Sequence, residues 1–137
     1  MIKDSLREFI DCVTGGGHIS DEDVRKLEDD VLTGGLVSRR EAEALLDLDR
    51  TLSACEAWGP ALTRLIVSFV VWSVPPTGVV SNEDALWLAT ILDMGGPTKT
   101  AMNIAYAILD EAGHVDVALL DFIMRGRQQA RLSTLAA

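Results

Sequence analysis

Apolar side chains recur through the chain at spacings of three and four, the period of helices that each bury one face. Leu6, Phe9, Ile10 and Val13 mark a first helix from about Lys3 to Val13. Val24, Leu27 and Val31 mark a second, Asp21 to about Leu32, and Leu45, Leu48, Leu52 and Cys55 a third, Arg39 to about Ala57. Trp58-Gly59-Pro60 breaks that run, and Pro60 suits the opening of a fourth helix, Ala61 to about Ser73, whose nearly unbroken apolar surface predicts burial all round. Pro75-Pro76 stops it. A fifth helix, Asn82 to about Met94, turns Ala85, Leu88, Ala89 and Leu92 inward, and Gly95-Gly96-Pro97 reverses the chain. A sixth, Lys99 to about Ala112, buries Met102, Ala105, Ile108 and Leu109. The last starts near Val117, buries Leu120, Ile123 and Met124, and frays near Arg131. No alternating segment of strand length competes, so the spacing predicts an all-α fold: a compact single-domain bundle of about seven helices over residues 1–137.

The turns repeat. Gly17-His18-Ile19-Ser20, Gly35-Leu36-Val37-Ser38, Gly78-Val79-Val80-Ser81 and Gly113-His114-Val115-Asp116 share one pattern, glycine, any residue, Ile or Val, then Ser or Asp. In each, a left-handed glycine ends one helix, the β-branched residue turns inward, and the Ser or Asp caps the next helix. Ser38 with Glu41 forms a capping box, and Ser20 with Asp23 and Ser81 with Asp84 form its shorter Asp version. The glycines are unevenly spaced, which rules out a solenoid period and points to one unit duplicated within the chain.

Composition narrows the function. Aromatic residues are only 5% of the chain, so the core is aliphatic, as closely packed helices require. A net charge of −9 repels nucleic acid and anionic membranes and favours basic partners or cations. The acids crowd the first third, while Arg125, Arg127 and Arg131 gather at the end, where they complement a helix dipole. The most apolar run, Leu65 to Val74, is shorter than the roughly 20 residues that cross a bilayer, so no membrane insertion is expected. The start, Met1-Ile2-Lys3-Asp4, opens an amphipathic stretch and not an apolar signal core, which makes cytoplasm the expected compartment.

Enzyme signatures are missing. Gly15-Gly16-Gly17 follows a helix and lacks the Lys-Ser/Thr of a phosphate loop. Cys12 and Cys55 fit helix faces as small core residues, so nothing supplies an obvious nucleophile with its base, and a non-catalytic protein is expected. The glycine turns also fail as EF-hand loops, since none places more than two carboxylates at the ligand positions. His18 and His114 share one repeat position, but two histidines leave a transition-metal site incomplete. The acids of the second and third helices are the stronger candidates. Asp30 ends the second helix, Glu41 opens the third, and Asp49 lies between Leu45 and Leu52 on a face that should pack. Carboxylates from adjacent helices can hold a hard divalent cation through oxygen, while a merely solvated acidic face has the same composition.

The stretch Gly35 to Leu46, the Trp58 turn with its apolar helix, and Gly78 to Leu92 resemble the TerB-like family, named for tellurite-resistance proteins, over residues 15–125 or so. The resemblance implies a bacterial cytoplasmic helical module tied to metal or stress response, which binds protein partners. It also implies metal ligands at an Asp before the motif glycine and a Glu after it. Here Gly16, Gly34, Thr77 and Ala112 precede the glycines, and only the trailing acids Asp23, Glu41 and Asp84 are kept. Two other functions fit the same chain: an acidic immunity or inhibitor protein neutralising a basic partner, and a structural subunit or homodimer using Trp72, Trp87 and the fourth helix.

Overall fold

A computed structural model describes residues 4–73, 77–94 and 98–136, with side chains of the last helix described through Gln128. The expected breaks at Pro75-Pro76 and Gly95-Gly96-Pro97, and the side chain of Arg131, lie outside the described residues. The described chain is all-α, as its periodicity predicts. The helices are α1 (Asp4–Gly16), α2 (Asp21–Lys26), α3 (Arg39–Thr51), α4 (Trp58–Val67), α5 (Asn82–Asp93), α6 (Lys99–Glu111) and α7 (Val117–Ala136). Two π-helical turns, Leu27–Val31 and Ser68–Trp72, extend α2 and α4. Four strands of two residues each, β1 (His18–Ile19), β2 (Ser53–Ala54), β3 (Val79–Val80) and β4 (His114–Val115), complete it. Among the described residues, no helix is long and apolar enough to cross a membrane.

The chain divides into two compact units, Met1–Phe69 and Val70–Ala137. In the first, β1 pairs with β2 in parallel, His18 opposite Ser53 and Ile19 opposite Ala54, and Cys55 donates its N–H to the Ile19 carbonyl at 2.9 Å. In the second, β3 pairs with β4 in parallel, Val79 opposite His114 and Val80 opposite Val115. Both pairings move by the same 61 residues, His18 to Val79 and Ser53 to His114. The duplication is therefore a 61-residue one. It superposes Gly17 on Gly78, Ser20 on Ser81, α2 on α5, and the start of α4 on α7. Burial follows the same offset: Ile19, Leu27, Trp58 and Leu62 are buried in the first unit, and Val80, Leu88, Leu119 and Ile123 in the second.

That period reassigns the turns. Gly35 has no strand after it; it leads to Ser38, which caps α3. The strand that pairs with β1 in the first unit is instead β2, Ser53–Ala54, which no glycine turn precedes. Gly17, Gly35 and Gly78 are left-handed, with φ of 73, 82 and 77°, as the turn chemistry predicts. Gly113 is not; its N–H reaches the Gly78 carbonyl at 2.7 Å, so close strand approach is what places it.

Helix ends follow the caps. Ser20 and Asp23 exchange both bonds of a capping box at the start of α2, Ser20 N to Asp23 Oδ2 at 3.0 Å and Asp23 N to Ser20 Oγ at 3.2 Å. Ser38, Ser81 and Thr98 accept from the third residue beyond them in the same way. The third helix departs from expectation. Its last turn closes when Leu52 N–H bonds the Leu48 carbonyl, and the chain then extends into β2 instead of continuing to Ala57. Pairing with β1 supplies those backbone bonds, a long-range choice that helical spacing does not contain. The fourth helix starts three residues early, at Trp58, and Pro60 still falls in the first turn, where no N–H is needed. The last helix runs on to Ala136, beyond its expected frayed end.

Candidate functional site

Within the first unit α2 packs on α4, and within the second α5 packs chiefly on α7. The 61-residue offset makes these the same pair of helices in two copies. Their outer surfaces differ. Between α2 and α4 lies an open hollow lined by Asp21, Val24, Arg25, Glu28, Asp29 and Ala57. The Arg64 guanidinium of α4 donates to both Glu28 carboxylate oxygens, at 2.9 and 3.1 Å. Asp21 also faces the Cys55 thiol; partial burial and that hydrogen bond push the thiol's pKa up and keep it protonated.

The matching surface on α5 and α7 is apolar. Leu86 replaces Arg25, Val117 replaces Glu56, Leu120 replaces Gly59 and Met124 replaces Thr63, while Ala89 stands where Glu28 binds Arg64. These side chains are exposed: Leu86 by 52%, Val117 by 70%, Leu120 by 39% and Met124 by 62%. Their exposure corrects the expectation that Leu120 and Met124 pack inward. Leu119, Phe122 and Ile123 fill the core from α7 instead, and Gly126 lets the helix approach Met102 so closely that an added Cβ would lie 2.5 Å from its sulfur. Asn82 and Asp116 tie the two helix starts together, Nδ2 to Oδ2 at 3.1 Å. Leu86 and Leu120 each stand one turn beyond that bond on the same helix faces, so the apolar strip crosses the seam between α5 and α7. Only the different composition of the matching positions could have exposed this surface in the sequence, and finding them needs the 61-residue register, which the uneven glycine spacing conceals.

The three carboxylates expected as metal ligands have separate places. Asp30 is exposed in the π-turn after α2. Glu41 is fully buried, and its Oε1 accepts the Val37 N–H at 3.0 Å. Asp49 accepts the indole Nε1–H of buried Trp58 at 3.0 Å, which accounts for an acid on a packing face. Among the described residues, no three His, Cys, Asp or Glu side chains come together to hold a metal ion. His18 Nδ1 and Ser53 Oγ are 2.8 Å apart, and the Ser53 hydroxyl leans on the Gly17 carbonyl, so that contact fastens the β1–β2 pair. His114 belongs to the other unit. Trp72 is exposed, with its indole N–H on Glu111 at 3.1 Å.

No protein-family model, no curated protein and no solved structure matches this chain.

Proposed function

We propose that the chain is a non-catalytic protein-interaction module of the cytoplasm, and that it binds through the apolar face of α5 and α7. One observation carries this reading. At matching positions of one duplicated scaffold, the first unit carries Arg25 and Glu56, both exposed, with Gly59 and Thr63 half-buried, and the second exposes Leu86, Val117, Leu120 and Met124. The first copy folds with polar residues there, so the fold does not require apolar ones. Exposed apolar side chains grouped on one face mark interaction surfaces. The TerB-like resemblance is compatible with such a module, but the reading does not depend on it.

The test is a double substitution, Leu120→Ser with Met124→Ser. Both side chains are exposed, so unfolding free energy should change by no more than about 0.5 kcal/mol per site. Phe122→Ala on the opposite face should cost about 3–5 kcal/mol. A partner that co-purifies with the chain, once identified and purified, should bind the double variant at least tenfold more weakly by calorimetry. Unchanged affinity would remove this face from the function.

The acidic hollow favours a second reading, an inhibitor of a basic partner. Asp21, Glu28 and Asp29 line it beside Arg25, and Glu28 is paired with Arg64. That association would fall steeply with salt and would be indifferent to Leu120 and Met124.

A further inference from the structure

We propose that the apolar face of α7 closes on the same face of a second copy of this chain, with the two helices antiparallel about a two-fold axis. This rests on the reading of that face as a binding surface and names its partner. Val117, Leu120, Met124 and Arg127 follow one another at spacings of three, four and three, the a/d stripe of a helix that pairs with another helix. The first three are exposed apolar residues, and Arg127 is exposed at the end of the line. Charge along the helix is polarised: Asp116 stands just before it and Asp121 in its second turn, and Arg125 and Arg127 follow within two turns of Asp121.

A stripe of this kind is its own complement in one orientation. Turned antiparallel around residue 122, Leu120 meets the partner's Met124, and Met124 meets the partner's Leu120. The aliphatic stem of Arg127 covers the partner's Val117, and its guanidinium comes beside the partner's Asp116. Each contact occurs twice, which is the signature of an isologous interface. Asp116 has room for this, since its Oδ2 takes the Asn82 amide and the Ala118 N–H and the carboxylate keeps a second oxygen. A parallel arrangement would stack the arginines on each other and align the helix dipoles; the antiparallel one opposes both. Leu86, exposed on α5 one turn beyond the Asn82–Asp116 bond, adds apolar surface to the same unit. The first unit has no such self-complementary stripe, because Glu56, Gly59 and Thr63 stand at the matching positions. With so few apolar side chains, the interface belongs to the small, weak class, and the dimer is reversible and concentration-dependent.

Sedimentation velocity on the purified full chain tests it. The expected result is a monomer–dimer equilibrium whose dissociation constant rises at least tenfold in Met124→Glu and in Arg127→Glu, both with unchanged circular dichroism. It should also rise with salt. Orientation is read by cross-linking in a Cys12→Ser, Cys55→Ser background. Leu120→Cys mixed with Met124→Cys should form the mixed disulfide under mild oxidation faster than Met124→Cys forms its own. A chain that stays monomeric up to about 1 mM overturns the proposal, as does a dimer indifferent to both charge substitutions or a dominant Met124→Cys homodisulfide. Each of those results leaves the heterologous-partner test of Leu120 and Met124 standing, because that test uses a different protein and reads a different affinity.

Discussion

The carboxylate of Glu41 is fully buried, yet it lies at the start of α3, where the helix leaves its first N–H groups without partners. Its Oε1 takes the Val37 N–H, and its own N–H bonds Ser38 Oγ at 3.3 Å. Glu41→Ala should therefore cost about 1 kcal/mol in denaturant unfolding, because it removes the carboxylate that fastens the chain at the start of the helix. A cost below about 0.5 kcal/mol would mean that this cap is not a stabilising contact. Asp49 is similar: an acid on an apolar face is ambiguous in sequence, and the Trp58 indole that explains it is nine residues away. At this scale residue identity was legible, and the role was not, because each role depends on a neighbour brought by folding.

At the scale of elements, α7 is held at its start by Asp116, which accepts the Ala118 N–H at 3.1 Å and the Asn82 amide. Those two bonds favour the ionised form and lower its pKa, the backbone bond most. With the folded value below the unfolded one, the contribution is complete above the ordinary Asp range near 3.8 and disappears as pH falls through the lowered value. Asp116→Asn should thus remove part of the acid-unfolding transition below about pH 4 and leave the alkaline side unchanged. A midpoint of acid unfolding that does not move in the variant would deny the cap this role. The strand pairs lie at the same scale. Two-residue strands carry almost no periodic signal, so helical spacing runs the third helix through β2, and the bonds to β1 decide where that helix stops.

For the whole molecule, the duplication sets what each half can do. Both units use the same strand register and the same capped helices, but one exposes paired charges and the other an apolar strip. A cation has no cluster of three acidic, His or Cys side chains among the described residues. Thermal melts of metal-stripped protein should consequently show no shift with millimolar calcium, magnesium, manganese or zinc. A ligand at a hundred times its dissociation constant would add about 2.7 kcal/mol, easily seen as a rise in Tm. A rise with one cation that is lost in Asp30→Asn would restore the acidic face as a metal site.

Helix number, the Ser-capped helix starts and most of the aliphatic core were determined by the sequence alone, because periodicity and capping act within a few residues. Val24, Leu27 and Val31, and Ser20 with Asp23, occupy the places that their spacing dictates. Which side of α7 is buried was decided only by the tertiary structure. Val117, Leu119, Leu120, Phe122, Ile123 and Met124 make that helix apolar on nearly every side, and its backbone bonds are satisfied in any rotation about its axis. Packing on α5 and the close approach of Gly126 to Met102 select one rotation, which buries Leu119, Phe122 and Ile123 and leaves Val117, Leu120 and Met124 outside.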